Sequence, residues 1–176
     1  MKTIYFFRHA KAKNFHQDES DFEREISNKG KKQIRTISSY LKLRGILPDL
    51  ILSSCALRAQ QTAIGLCDTL EYNGKIDYLN QLYRGSSSKD ILDIIEIQDD
   101  RYDTLFVIGH HPDITELVNT LTDEHISKVP SMGVVAIKFN IDSWSKLEVK
   151  KGKVDFFIFP KQFQYYMPNQ IKATLR

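Results

Sequence analysis

The feature that most constrains the fold is a pattern used three times: an apolar, strand-like run ends in cationic or polar residues, and a helical pattern follows. Residues 4–10 read Ile-Tyr-Phe-Phe-Arg-His-Ala. Residues 48–54, Pro-Asp-Leu-Ile-Leu-Ser-Ser, run into a polar turn and a helical stretch opening Cys55-Ala56-Leu57-Arg58. Residues 104–109, Thr-Leu-Phe-Val-Ile-Gly, lead into His110-His111-Pro112, with Pro112 expected as the first residue of the next helix. Short continuous apolar runs suit strands buried on both faces, and their alternation with helices calls for a largely parallel sheet covered on each side. The fold class expected is therefore α/β, a three-layer α/β/α sandwich. Crossovers of the usual hand bring the carboxyl ends of such strands to one edge, where α/β proteins hold ligands.

The remaining segments fit that frame. Ser27 or Asn28 reads as the cap of a first helix that turns Ile34, Ile37 and Leu41 inward and stops near Gly45. Ala59, Ala63, Leu66 and Leu70 mark the core stripe of the next helix, so Arg58 lies off the stripe and is free to turn toward the strand edge. Residues 75–79 read as a short strand. Ser86, Ser87 or Ser88 then caps a helix with Ile91, Leu92, Ile94 and Ile95 inward, and Ile114, Leu117, Val118 and Leu121 mark the helix after Pro112. Residues 134–139 and 155–159 suggest an antiparallel addition at the sheet edge. The polar connection over residues 11–26 is long for a compact domain, and connections of that length tend to carry function.

Composition narrows the classes. The 176 residues suit one domain, 1–176, with a continuous core. Cys55 and Cys67 cannot make a disulfide framework and read as small buried hydrophobes. Without a signal-like start or a long apolar run, the expectation is a cytoplasmic protein with no membrane partner. A net charge of +3 is too small and too interspersed to imply nucleic acid, and Lys29, Lys31, Lys32 and Arg35 read as a solvated helix face.

One sheet edge thus receives Arg8, His9, Arg58 and His110, forked and imidazole donors suited to an oxyanion, beside helix N-termini that favour negative charge. These segments resemble the histidine phosphatase superfamily, with its phosphoglycerate mutase-like fold, in the SixA-like phosphohistidine phosphatase branch. The likeness rests on Arg8-His9-Ala10, residues 48–63 and Gly109-His110-His111-Pro112, with Ile26-Ser27-Asn28-Lys29-Gly30 and residues 129–134 beside them. It implies a nucleophilic His9, phosphate held by Arg8 and Arg58, and His110 as a further phosphate-pocket residue. Ala10 stands where the superfamily usually has glycine, a change the SixA-like branch commonly tolerates. Gln81, in Leu79-Asn80-Gln81-Leu82, stands where many members that cleave stable esters carry a glutamate.

Phosphoryl transfer needs fixed donors around three equatorial oxygens and an in-line nucleophile. The arginines near His9 disfavour its protonation, and a neutral imidazole can attack. The expected reaction is a metal-independent, cofactor-free hydrolysis through a phosphohistidine on His9. Its substrate would be a phosphorylated protein bearing phosphohistidine, since imidazole leaves readily and Gln81 cannot protonate an alkoxide. The alternatives are a general phosphomonoesterase on small phosphate esters and a phospho-binding module that does not turn over. His111 reads first as an N-cap and second as a pocket wall. Tyr83, Arg84 and Gln81 are further wall candidates. Lys11, Lys13, His16 and His125 read as solvated. Rival phosphatase chemistry fails on spacing: the sixth residue after Cys55 is Gln61 and after Cys67 is Asn73, not arginine, and no Gly-rich loop ends in Lys-Ser or Lys-Thr.

Overall fold

The computed structural model describes residues 1–18, 20–83 and 86–166. Its strands are β1 (Lys2–Arg8), β2 (Leu50–Ser54), β3 (Ile76–Leu79), β4 (Thr104–Gly109), β5 (Val134–Phe139) and β6 (Lys153–Ile158). The main helices are α1 (Asn28–Leu43), α2 (Leu57–Leu70), α3 (Ser88–Glu96) and α4 (Asp113–Leu121). The strands form one sheet in the order β3-β2-β4-β1-β5-β6. β1, β2, β3 and β4 run parallel, and β5 and β6 add the antiparallel edge. The expected α/β sandwich is present.

Alternation of side chains along β1 divides the core. Ile4 and Phe6 face one layer, with α3 and α4 packed over them through Ile91, Ile95, Ile114, Leu117 and Leu121. Tyr5 and Phe7 face the other, under Ile34, Ile37 and Leu41 of α1 and Ala59, Ala63 and Leu66 of α2. Each fully buried large aliphatic or aromatic side chain contributes about 1.5–3 kcal/mol. The inward stripes predicted for the four helices are the buried ones, except that Ile94 is only partly buried.

Caps follow the local chemistry. Ser27 accepts from the Gly30 amide at the start of α1, and Ser87 forms a reciprocal box with Asp90 at the start of α3. Pro112 lies one residue outside α4, as its N-cap rather than its first residue, and His111 does not cap the helix. Both cysteines are half-buried rather than buried. Cys55 lies beyond the end of β2, and its thiol is 2.7 Å from Asn80 Oδ1.

Two close approaches place the functional edge. A side chain at Gly109 would meet Ile114 Cδ1 at 2.9 Å, so glycine lets α4 pack against the end of β4 next to His110. At Gly30 a Cβ would collide with the Lys11 carbonyl, so glycine seats the start of α1 on the chain leaving β1. There the Ser27 amide and hydroxyl both donate to that carbonyl, and Ala12 bridges to Ile26. These contacts hold the two ends of the long first connection together beside the end of β1. Among the described residues no helix is long and apolar enough to cross a membrane.

Candidate active site

β1, β4 and β2 end side by side, and their ends deliver His9, His110 and the start of α2 to one cleft. Arg8, His9, Lys11, Ala12, Arg24, Arg58, His110, His111 and Ser131 line this space of about 210 Å³. His9 follows the last residue of β1, and its amide donates to Gly109 O at 3.0 Å, tying the two strand ends together. The ring is nearly buried, 8% exposed, and Nδ1 lies 2.7 Å from the Ala10 carbonyl. A carbonyl can only accept, so Nδ1 carries the proton and Nε2 keeps its lone pair. Arg58 agrees with that tautomer: its Nε–H points at His9 Nε2 from 3.3 Å.

Burial above all, then the charges of Arg58, Arg8 and Arg24, push the His9 pKa down to about 3, against the Ala10 hydrogen bond that raises it. His9 is neutral across the physiological range.

Arg58 belongs to the first turn of α2, yet it is only 2% exposed. The sequence leaves it off the core stripe, and the structure shows why it is still buried: the 3₁₀ turn Asp21–Glu23 folds over it. Arg58 Nη1 donates to Asp21 O at 2.7 Å, and Nη2 donates to Asp21 Oδ2 at 3.0 Å. Nη2 also lies 3.4 Å from His110 Nδ1. Burial lowers the Arg58 pKa, and Asp21 opposes the shift.

His110 leaves β4 with Nε2 2.8 Å from Ser54 Oγ, the last residue of β2, and its ring 5.0 Å from that of His9. Arg8 is less engaged. Its Nη1 donates to Val129 O at 3.2 Å, while its buried Nε has no hydrogen-bond partner, and desolvation lowers its pKa.

The structure therefore brings Arg8, His9, Arg58 and His110 together. His111 lines the cleft with Nδ1 3.1 Å from Thr115 Oγ1, so it forms wall rather than cap. Tyr83 reaches the site indirectly: its hydroxyl donates to Asp21 Oδ2 at 2.9 Å, and its ring stands edge-on to His110, centroids 5.5 Å apart. Gln81 is a correction. It is exposed on the 3₁₀ turn Asn80–Leu82 and does not line the cleft, because that turn directs Leu82 rather than Gln81 into the core. Arg84 lies outside the described residues. His16, His125 and Lys13 are exposed, Lys13 in an ion pair with Glu25, while Lys11 borders the cleft.

Sequence reasoning missed Asp21, Arg24, Ser54 and Ser131. Arg24 lines the cleft and pairs with Asp21 at 3.1 Å. For Asp21 and Arg24 the available signal was the unusual length of the 11–26 connection, which marked a region but no residue. No group of three or more His, Cys, Asp or Glu side chains among the described residues could hold a metal ion. The cleft can bind a compact oxyanion with forked donors and present a neutral imidazole lone pair to it.

Residues 4–82 match the histidine phosphatase superfamily (branch 1). No functionally curated protein matches the sequence significantly. Among solved structures, the protein histidine phosphatase SixA complexed with tungstate superposes with a TM-score of 0.79 at 18% identity, over 92% of this chain and 99% of that one. An Agrobacterium tumefaciens protein provisionally assigned as a SixA phosphohistidine phosphatase gives 0.79 at 24% identity, over 90% and 98%. A mycobacterial glucosyl-3-phosphoglycerate phosphatase gives 0.63 at 12% identity, over 90% and 98%. The resemblance read from the sequence holds, over residues 4–82 by family match and through the fold across most of the chain.

Proposed function

From this histidine phosphatase fold and the cleft at its strand ends, we propose that the chain is a cytoplasmic phosphatase. It would hydrolyse phosphohistidine on a protein through a covalent phosphohistidine at His9. The observation that carries the reading is the His9 ring: Nδ1 is fixed by Ala10, and Nε2 is turned into a cluster of cations. The Arg58 bond to that lone pair is long, at 3.3 Å, and exchanges readily for a bond to a phosphoryl oxygen. Arg8, with a spare buried Nε–H, takes further oxygens, and His110 flanks them. This fits the tungstate held by the SixA structure, since tungstate has the shape and charge of phosphate.

The reaction then runs in two displacements. His9 Nε2 attacks phosphorus in line, the P–N bond to the substrate imidazole breaks, and that imidazole takes a proton as it leaves. Water next attacks the phosphorus on His9, releasing inorganic phosphate and restoring the neutral ring. Arg8 and Arg58 neutralise the charge on the equatorial oxygens in both steps, so the chain's own cations suffice for this reading and no metal is invoked.

The substrate choice rests on the leaving group. Of the described residues lining the cleft, none is a carboxylic acid, and three, Lys11, Arg24 and Arg58, are cations besides Arg8. Such a cleft suits a group that leaves without strong acid catalysis, which phosphohistidine does and an alkyl ester does not. The test is kcat/KM of the purified protein on a phosphohistidine protein beside aryl and alkyl phosphates. Label trapped under alkaline conditions, where P–N bonds survive, is expected on His9. Equal efficiency on alkyl esters would favour the phosphomonoesterase reading, and binding of phosphohistidine without turnover would favour the binding module.

A further inference from the structure

Arg58 has two differently engaged edges. Its Nε and Nη2 face His9 Nε2 at 3.3 Å and His110 Nδ1 at 3.4 Å, long contacts directed at the place a phosphoryl group would occupy. The other side is clamped by one residue, Asp21, through shorter bonds: Nη1 to its backbone carbonyl at 2.7 Å and Nη2 to Oδ2 at 3.0 Å. A guanidinium is planar, so fixing one edge through two bonds fixes the direction of the other.

Asp21 is itself held from two sides. Tyr83 donates to the same Oδ2 at 2.9 Å, and Arg24 Nη2 lies 3.1 Å from Oδ1. Tyr83 is gripped in turn between Phe22, edge-on at 5.2 Å, and His110 at 5.5 Å. The clamp therefore joins the 3₁₀ turn Asp21–Glu23, the start of α2, the residue after β4 and the segment after β3.

We propose that Asp21 is the positioning residue for Arg58, and that the phosphate site is complete only when the 3₁₀ turn Asp21–Glu23 is seated with Asp21 on the guanidinium. The proposal rests on the phosphatase reading above and assigns a role to a loop carboxylate within it. The role assigned is orientation rather than proton donation, because the Asp21 carboxylate oxygens are turned to Arg58, Arg24 and Tyr83. Substrate specificity and the clamp are thus separate properties of the site.

The experiment compares Asp21→Ala, Asp21→Asn, Arg58→Ala and the Asp21→Ala/Arg58→Ala double variant. One arm measures tungstate affinity by calorimetry, and the other kcat/KM on a phosphohistidine protein and on an alkyl phosphate. Small displacements of a catalytic group are costly, so Asp21→Ala is expected to lower kcat/KM about 100-fold, by the same factor on both substrates, and to weaken tungstate roughly 10-fold. The backbone carbonyl is present in every variant; Asp21→Asn also keeps a side-chain acceptor oxygen, which Asp21→Ala lacks, and it recovers part of both losses. In the Arg58→Ala background the Asp21 substitution should change either quantity by less than about two-fold, because a residue that acts through Arg58 has nothing left to act on.

Additive losses in the double variant would overturn the proposal. So would unchanged tungstate affinity, or a loss confined to the alkyl phosphate, which would make Asp21 the proton donor. Tyr83→Phe removes only the hydroxyl that steadies Asp21; a loss of roughly three-fold in both arms is expected, and none would count against the clamp even if Asp21→Ala did not fold. Should the wild type turn over neither substrate, the phosphatase reading fails, while the tungstate arm still decides the role of Asp21.

Discussion

Two buried cationic sites lie at opposite edges of the same sheet, and they are built on opposite principles. At the amino edge Lys2, 1% exposed, spends all three ammonium N–H groups: on Asp100 O at 2.5 Å, Tyr102 O at 2.9 Å and Asp103 Oδ1 at 2.8 Å. The fully buried Trp144 lies beside it, with its ring centroid 5.4 Å from Nζ. At the carboxyl edge the donors are kept in reserve. Arg8 Nε is buried without a partner, and Arg58 reaches His9 and His110 only through contacts of 3.3 and 3.4 Å. A buried donor left unpaired costs about 1–3 kcal/mol, and a fully satisfied one costs little. The amino edge is therefore assembled for stability, and the carboxyl edge holds unspent hydrogen-bonding capacity for a ligand.

Substitution of His9 should separate the two most sharply. On the proposed mechanism His9→Ala is expected to lose on the order of 1,000-fold or more in kcat and to trap no labelled phosphohistidine, because the variant lacks the Nε2 lone pair that attacks phosphorus. Its unfolding midpoint in urea should stay close to wild type, since the ring borders an open cleft and its removal encloses no cavity. Label at wild-type level would move the nucleophile elsewhere, His110 first. The mirror experiment is Lys2→Met, which keeps the length of the stem and removes the three donors. It should cost about 2 kcal/mol of stability and leave kcat/KM within about two-fold of wild type. A large activity loss there at full folding would mean that the two edges are coupled.

Acid sharpens the contrast further. In the unfolded chain the His9 imidazole takes its proton near the ordinary 6.5, whereas in the folded protein it resists to about 3. Below 6.5 the unfolded state binds more protons, so this contribution to stability is present above that value and is lost as the pH falls toward 3. The slope approaches about 1.4 kcal/mol per pH unit for the one proton. At the amino edge the Trp144 amide holds Asp100, and the Lys2 hydrogen bond holds Asp103, below the ordinary carboxylate value of 3.8. Those contributions persist until the pH drops through that lower range. Urea denaturation between pH 6.5 and 4.5 should therefore show a slope that His9→Gln removes and Lys2→Met retains. Histidine NMR over the same range should report His9 as the neutral Nδ1–H tautomer.

The two edges were unequally legible in the sequence. Arg8, His9, Arg58 and His110 could be read because each follows an apolar run whose type and direction place its end, and local periodicity carries that information. The helix stripes and the antiparallel edge were legible for the same reason. Lys2 was not, since its partners lie 98 to 101 residues away and nothing local marks a lysine at the second position as buried. Asp21 and Arg24 escaped similarly. They sit in an aperiodic connection, and the bond from Arg58 to Asp21 spans 37 residues with no regular element to fix its register. Contacts made by loops with distant strand ends are products of the assembled fold, which local pattern does not encode.

The smallest effect is expected at Gln81, where sequence reasoning placed the empty acid position. Gln81, in Leu79-Asn80-Gln81-Leu82, stands where many members of the superfamily it resembles that cleave stable esters carry a glutamate, which suggests that a glutamate there could protonate a leaving oxygen. The structure turns it outward: Gln81 is exposed, and it is Tyr83 that reaches the clamp on Arg58. General acid catalysis requires hydrogen-bond reach, about 2.6–3.2 Å or one water away, and an exposed side chain outside the cleft lacks it. Gln81→Glu should therefore leave the ratio of kcat/KM on phosphohistidine to that on alkyl phosphate within about two-fold of wild type, since the added charge is screened by solvent. The measurement is that ratio for both proteins under one buffer and salt condition. A ten-fold rise in alkyl phosphate hydrolysis would show that the turn after β3 swings into the cleft when substrate binds, and the carboxyl edge would then hold a mobile acid in addition to its reserve of donors.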